Sequence, residues 1–250
     1  MLKRFVFVVL IVAMAALANA QEWGDLDGTF VLKGAAPTPA KLQITKDIEF
    51  CGKHNLVDES VVVGQGGALA NVVVYLFDTA KPKIHPDYEK TAKAEVVLDN
   101  KDCHFQPHVQ GIRVGQTLLL GNKDPIGHNT KADFFENTPF NDLIPAGGQV
   151  KKTFAKEEKA PSPLSCSIHP WMNAYVIVRE DPYFAVSDKD GKILIKNLPA
   201  GEHTFVVWSN KFISNVTVNG KAPMPAWARG RVKVNIKAGM NSLGKVEVTP

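Results

Sequence analysis

The chain has 250 residues, with 29 Lys and Arg against 25 Asp and Glu and a formal net charge of +4. A balance this near neutrality, with no basic tract, gives no electrostatic support for nucleic-acid binding. The length allows one large domain or two small ones with real cores.

Lys3 and Arg4 precede an apolar run from Phe5 to Leu17, and Ala18-Asn19-Ala20 then supplies a small-x-small pattern. These features predict an export signal over residues 1–20, Gln21 as the mature start, and a periplasmic or secreted location. Removing Lys3 and Arg4 leaves 27 basic residues against 25 acidic. Nothing after the signal is long and apolar enough to cross a bilayer, so no membrane span is expected in the mature chain.

Beyond it, short β-rich runs alternate with breakers, the pattern of an all-β sandwich or barrel protein. The runs are Gly28 to Leu32, Val72 to Phe77, Ile112 to Leu120 with a turn at Gly115-Gln116, Tyr175 to Val178, Ile193 to Ile195, Thr204 to Trp208 and Arg231 to Ile236. Asp190-Gly191 and Pro199-Ala200-Gly201 are placed to turn the chain at either end of one strand. Lys81 to Lys93 is polar and Pro-containing, which predicts a crossing loop or one short helical turn. Val232 to Val248, with Lys237-Ala238-Gly239 as a turn, reads as a closing pair of strands.

The chemistry concentrates in Cys166-Ser167-Ile168-His169-Pro170-Trp171-Met172, joined by Gly127-His128-Asn129 from an upstream loop. One thiolate, two imidazoles and a weak thioether (Cys166, His128, His169 and Met172) are the donor types of a type 1 blue-copper site. Zinc competes for Cys and His but does not favour thioether, so Met172 argues for copper. If Cys166 binds metal, Cys51 and Cys103 remain as a candidate disulfide in an oxidising compartment. His104 and His108 share a face if their stretch is a regular strand, and with His54 they form a weaker candidate for a second metal site. Pro107 disturbs that regularity. No nucleophile-base order, paired carboxylates or phosphate-binding glycine loop is visible, and no enzymatic activity is expected.

The middle of the chain resembles the cupredoxin family, of the amicyanin and plastocyanin type. The resemblance rests on Phe105-Gln106-Pro107, Val114-Gly115, Asn122-Lys123-Asp124 ahead of His128, Pro145-Ala146-Gly147 and the final Cys-His-Met loop. The six-residue spacing from Cys166 to Met172 is close to that of amicyanin. The flanks, Gly28 to Gly34, Ala70 to Leu76, Ser187 to Ile193 and Asn197 to Phe205, resemble carboxypeptidase regulatory-like, transthyretin-type β-sandwiches. The whole arrangement is similar to bacterial plastocyanin-like proteins labelled for methylamine utilisation.

These resemblances imply a Greek-key cupredoxin sandwich (residues 93–180) inserted between two parts of a second, transthyretin/Ig-like sandwich (26–92 and 181–250). They imply one copper per chain and single-electron transfer with a redox protein such as a c-type cytochrome or a periplasmic dehydrogenase. A copper-binding or structural module without a carrier role is the alternative. Asn129 would hydrogen-bond to Ser167, the residue after the cysteine, and the Gly127 carbonyl would approach the metal axially. Pro170 and Trp171 would form an apolar patch around an exposed His169 edge, with Pro139, Phe140 and Leu143 on its rim.

Overall fold

The structure is a computed structural model, and it describes residues 21–211, 214–223, 227 and 230–249. The expected export signal lies outside the described residues. Strands β1 (Trp23–Leu32) and β2 (Val73–Leu76) come first, separated by a four-residue helix α1 (Ile48–Cys51). Nine strands follow: β3 (Glu95–Lys101), β4 (His104–Gln106), β5 (Val109–Arg113), β6 (Thr117–Asn122), β7 (His128–Ala132), β8 (Phe140–Ile144), β9 (Gln149–Thr153), β10 (Ser162–Ser165) and β11 (Asn173–Arg179). The chain closes with β12 (Phe184–Val186), β13 (Lys192–Pro199), β14 (Gly201–Trp208), β15 (Ser214–Val218), β16 (Arg231–Ile236) and β17 (Gly239–Thr249). The fold is all-β. Within Lys81 to Lys93 the chain makes one 3-10 segment, Pro86–Thr91.

The strands form four sheets. Two mix the two ends of the chain, in the orders β13-β1-β17-β15 and β12-β2-β14-β16. The other two draw only on the middle, in the orders β5-β11-β10-β7-β8 and β4-β3-β6-β9. Alternation explains the faces. In β1, Leu26 and Phe30 point inward while Asp25, Asp27 and Thr29 are less buried, and in β14 His203, Phe205 and Val207 alternate with Glu202, Thr204 and Val206. Such a period of two places one face on a core and leaves the other toward water.

Two strands that break the alternation, β2 and β11, join the sheets of the chain ends to those of the middle. β2 is buried at every position. Its Val74 and Leu76 enter the core of the end-to-end sheets, whereas Val73 and Tyr75 pack with Val109 and Ile177 of the middle sheets. On the other side of that seam, β11 sends Ala174, Val176 and Val178 into the middle core and Ile177 outward to β2. A continuous apolar run is what a strand with two buried faces requires. Gly111 of β5 serves the same seam, because a Cβ there would sit 2.2 Å from the Phe184 ring. Arg179 reaches across it and donates from Nη2 to the Leu76 carbonyl at 2.9 Å.

The closing strands differ from the expected pair. Both form, but β16 pairs with β14 in one sheet while β17 lies between β1 and β15 in another. The turn between them is an arch from sheet to sheet. Asn241 holds it, donating to the Lys237 and Gly239 carbonyls and to the Asp25 carbonyl of β1. No local pattern distinguishes an arch from a hairpin.

Candidate metal centre

The site grows from two loops at one end of the middle sheets. After β6, Asn122 organises the first loop: its Nδ2 donates to the Ile126 and Ile144 carbonyls at 2.7 and 2.9 Å, and its Oδ1 accepts from the Asp124 N–H at 3.0 Å. The loop returns as β7, whose first residue is His128. The second loop runs from Cys166 to Met172 between β10 and β11. It closes on itself through Cys166 N–H to the Met172 carbonyl at 3.2 Å and Met172 N–H to the His169 carbonyl at 2.9 Å.

The two loops are stitched together by Asn129. Its Oδ1 accepts from the Ser167 N–H at 2.8 Å and the Ile168 N–H at 3.1 Å, while its Nδ2 donates to Asn141 at 2.6 Å. Gly127 is half-buried beside His128, and a Cβ there would meet nothing within 4 Å.

His128, Cys166 and His169 are all buried, and their ligand atoms lie within 4.8 Å of one another. His169 Nδ1 stands 2.9 Å from His128 Nδ1 and 3.8 Å from Cys166 Sγ. Met172 is buried in the same apolar core as Cys166. Cys166 Sγ also receives backbone N–H groups from Asn129 at 3.5 Å and His169 at 3.4 Å. Burial alone would push the Cys166 thiol up, but the His128 contact and these N–H groups outweigh it and hold its pKa below the ordinary value. A thiol so disposed is ready to act as a thiolate ligand.

Each imidazole turns its far nitrogen to a carboxylate. His128 Nε2 is 2.9 Å from Asp124 Oδ2, and His169 Nε2 is 2.7 Å from Asp47 Oδ2. Asp124 also accepts the Asp102 N–H at 2.6 Å and the Cys103 N–H at 2.9 Å. Although burial opposes it, the His128 contact and these two N–H groups keep the Asp124 carboxyl below the usual range. With each Nε2 turned to a carboxylate, the two Nδ1 atoms face one another 2.9 Å apart, placed to share a cation between them.

That arrangement invites a cation. Burial works against charge on His128, yet Asp124 and Cys166 together raise its pKa, so even a proton is favoured there. The same surroundings suit a metal ion, and the donor set of one thiolate and two imidazoles with outer carboxylates fits copper.

The sequence expected an exposed His169 edge. Instead His169 has no exposed surface, because Asp47 lies against Nε2 and the Trp171 ring lies 5.2 Å from the imidazole. Trp171 is itself buried and donates its indole N–H to the Cys103 carbonyl at 3.1 Å. Pro170, Pro139 and Leu143 are exposed, while Phe140 is half-buried.

Cys51 and Cys103 form a disulfide that ties α1 to the turn between β3 and β4. Among the described residues, the clusters of three ligand atoms are His128-Cys166-His169 and Cys103-Asp124-His128, and neither contains His54, His104 or His108. His104 is satisfied by the Asp102 carbonyl and Gln106. His108 is buried, with Glu59 Oε2 3.7 Å from its Nδ1.

Sequence reasoning named the Asp124 motif without a role and missed Asp47 altogether. Asp47 lies 122 positions from the histidine it touches, and nothing in the residue pattern around it marks it as that histidine's partner.

No family model matches the chain, and no curated protein does either. Among solved structures, a mutant amicyanin in the Cu(I) state is 18% identical and covers 34% of this chain and 81% of its own, at a TM-score of 0.30. A purple cupredoxin from Nitrosopumilus maritimus is 24% identical, with 34% and 99% covered and a TM-score of 0.29. A copper-containing nitrite reductase from Thermus scotoductus SA-01 is 24% identical at a TM-score of 0.32 over 42% of this chain, which spans a quarter of that enzyme's length, 25%.

Proposed function

We propose that this is an exported one-electron carrier of the cupredoxin type, holding one type 1 copper ion on His128, Cys166, His169 and Met172. The observation that supports this most is the convergence of one thiol sulfur and two imidazole nitrogens, all from buried residues, within 4.8 Å of one another. Copper bound there supplies one-electron chemistry between Cu(II) and Cu(I). In this reading Cys166 binds as thiolate, Asp124 fixes the ring of His128, and Asn129 holds the Cys166 loop against the His128 loop. Residues 93–180 carry the site as an insert in a sandwich built from 26–92 and 181–250. The redox partner is a protein such as a c-type cytochrome or a periplasmic dehydrogenase, and no catalytic turnover of a small substrate is involved.

The test is an absorbance and EPR spectrum of the copper-loaded protein together with a redox titration. The expected result is an intense visible charge-transfer band, reversible one-electron reduction and one copper per chain. The Cys166→Ser variant loses the band. Colour that persists in that variant, or a protein that binds zinc in preference and shows no band, overturns the reading.

A further inference from the structure

Asp47 is an unusual neighbour for a metal-binding histidine, because it comes from neither loop of the site. It precedes α1 with φ 46° and ψ 42°, a left-handed conformation that Asp tolerates better than most residues. The helix is held at both ends. Its first turn closes on Asp47 itself, with the Phe50 and Cys51 N–H groups donating to the Asp47 carbonyl at 3.0 and 2.8 Å. Its last residue is bonded through sulfur to Cys103. Cys103 in turn donates its N–H to Asp124 and accepts the indole N–H of Trp171. One disulfide therefore links the segment that carries Asp47 to the residue that supports Asp124, and the two carboxylates grip the two imidazoles from opposite sides.

We propose that Asp47 is a positioning residue of the metal site: its carboxylate accepts the His169 Nε2–H, aims Nδ1 at the Cys166 sulfur, and lowers the reduction potential of the bound metal. This rests on the copper reading above. The physical reasons are two. A hydrogen bond to a carboxylate makes the imidazole a better electron donor and fixes its orientation. A negative charge held beside a partly desolvated site favours the more positive oxidation state, Cu(II) over Cu(I). The Asp47 carboxylate also occupies the Nε2 edge of the ring, so an electron leaving by that edge crosses Asp47 rather than a bare imidazole.

The experiment has a metal-free arm and a copper arm, using the full mature chain with Asp47→Asn, Asp47→Ala and Asp47→Glu. In the metal-free protein, nitrogen-15 NMR at neutral pH should show a His169 Nε2–H protected from solvent exchange. That proton is lost in Asp47→Ala and retained in Asp47→Asn and Asp47→Glu, whose side chains still accept. In the copper-loaded protein, Asp47→Asn and Asp47→Ala both raise the ratio of reduced to oxidised copper at a fixed potential about tenfold, or about 59 mV for a one-electron couple, while Asp47→Glu stays near the parent. Urea unfolding run in parallel verifies that each variant is folded.

A blue parent whose potential is unmoved in Asp47→Asn and Asp47→Ala overturns this inference alone. A parent without a visible band overturns the copper reading and the potential shift with it. An unprotected Nε2–H in the parent overturns the positioning role whatever the metal.

Discussion

The Nδ1 atoms of His128 and His169 stand 2.9 Å apart, on different loops, with each ring anchored at its far nitrogen by an aspartate. Two imidazoles fixed in this way hold their Nδ1 atoms side by side before any ion arrives. Binding therefore selects the folded state. Under anaerobic conditions, a free Cu(I) concentration of about one hundred times Kd should stabilise the protein by about 2.7 kcal/mol. His128→Ala and His169→Ala should lose most of that gain. Urea midpoints with and without metal decide it, and a chelator should reverse the shift.

Asn129 is predicted to be a stability residue as well as a neighbour of the metal. Asn129→Ala leaves the Ser167 and Ile168 N–H groups without their acceptor. Both bonds are only partly buried, so losing their acceptor costs about 0.5–1.5 kcal/mol rather than the penalty of a fully buried donor. The expected outcome is a lower urea midpoint in the metal-free protein, with the Cys166 loop exchanging its amides faster. An unchanged midpoint would show that the loop holds its shape without the stitch.

The disulfide spans 52 residues. Replacing both Cys51 and Cys103 by Ala should cost about 2–5 kcal/mol, since the unfolded chain regains the freedom of that loop. Thermal and urea unfolding measure the loss. Neither residue is a proposed metal ligand, so the doubly substituted protein should still bind copper and show its visible band.

His108 should impose a pH dependence. Burial holds its pKa below the ordinary 6.5, against the pull of Glu59 and Asp58 and with His104 also facing it. A histidine kept neutral in the fold takes up a proton first in the unfolded chain. Stability is therefore full above the unfolded pKa of about 6.5 and declines as pH falls from there toward the folded value. His108→Phe preserves the ring that meets Tyr175 edge to face and removes the titration. Urea midpoints at pH 7.5 and 5 should differ less in this variant than in the parent.

Much of the molecule was legible locally. The strand runs of β2, β11, β13, β14 and β16 appear where β-branched and aromatic residues alternate or accumulate between turn residues. The pairing of Cys51 with Cys103 followed from an odd cysteine count once Cys166 was set aside. Pairing partners were less legible. Nothing near Lys237 to Gly239 announces that the strands on either side enter different sheets, because sheet choice depends on which apolar faces meet after the chain has travelled.

The sequence by itself determined the all-β character and the kinds of donor available, because both depend on residue type and short-range spacing. Which groups surround those donors was a tertiary matter. A contact such as Asp47 with His169 joins residues 122 apart and leaves no periodic trace, since its partners are brought together only by the helix, the disulfide and the sheet ends that carry them. For that reason the sequence predicted an open histidine edge where the fold built a covered one.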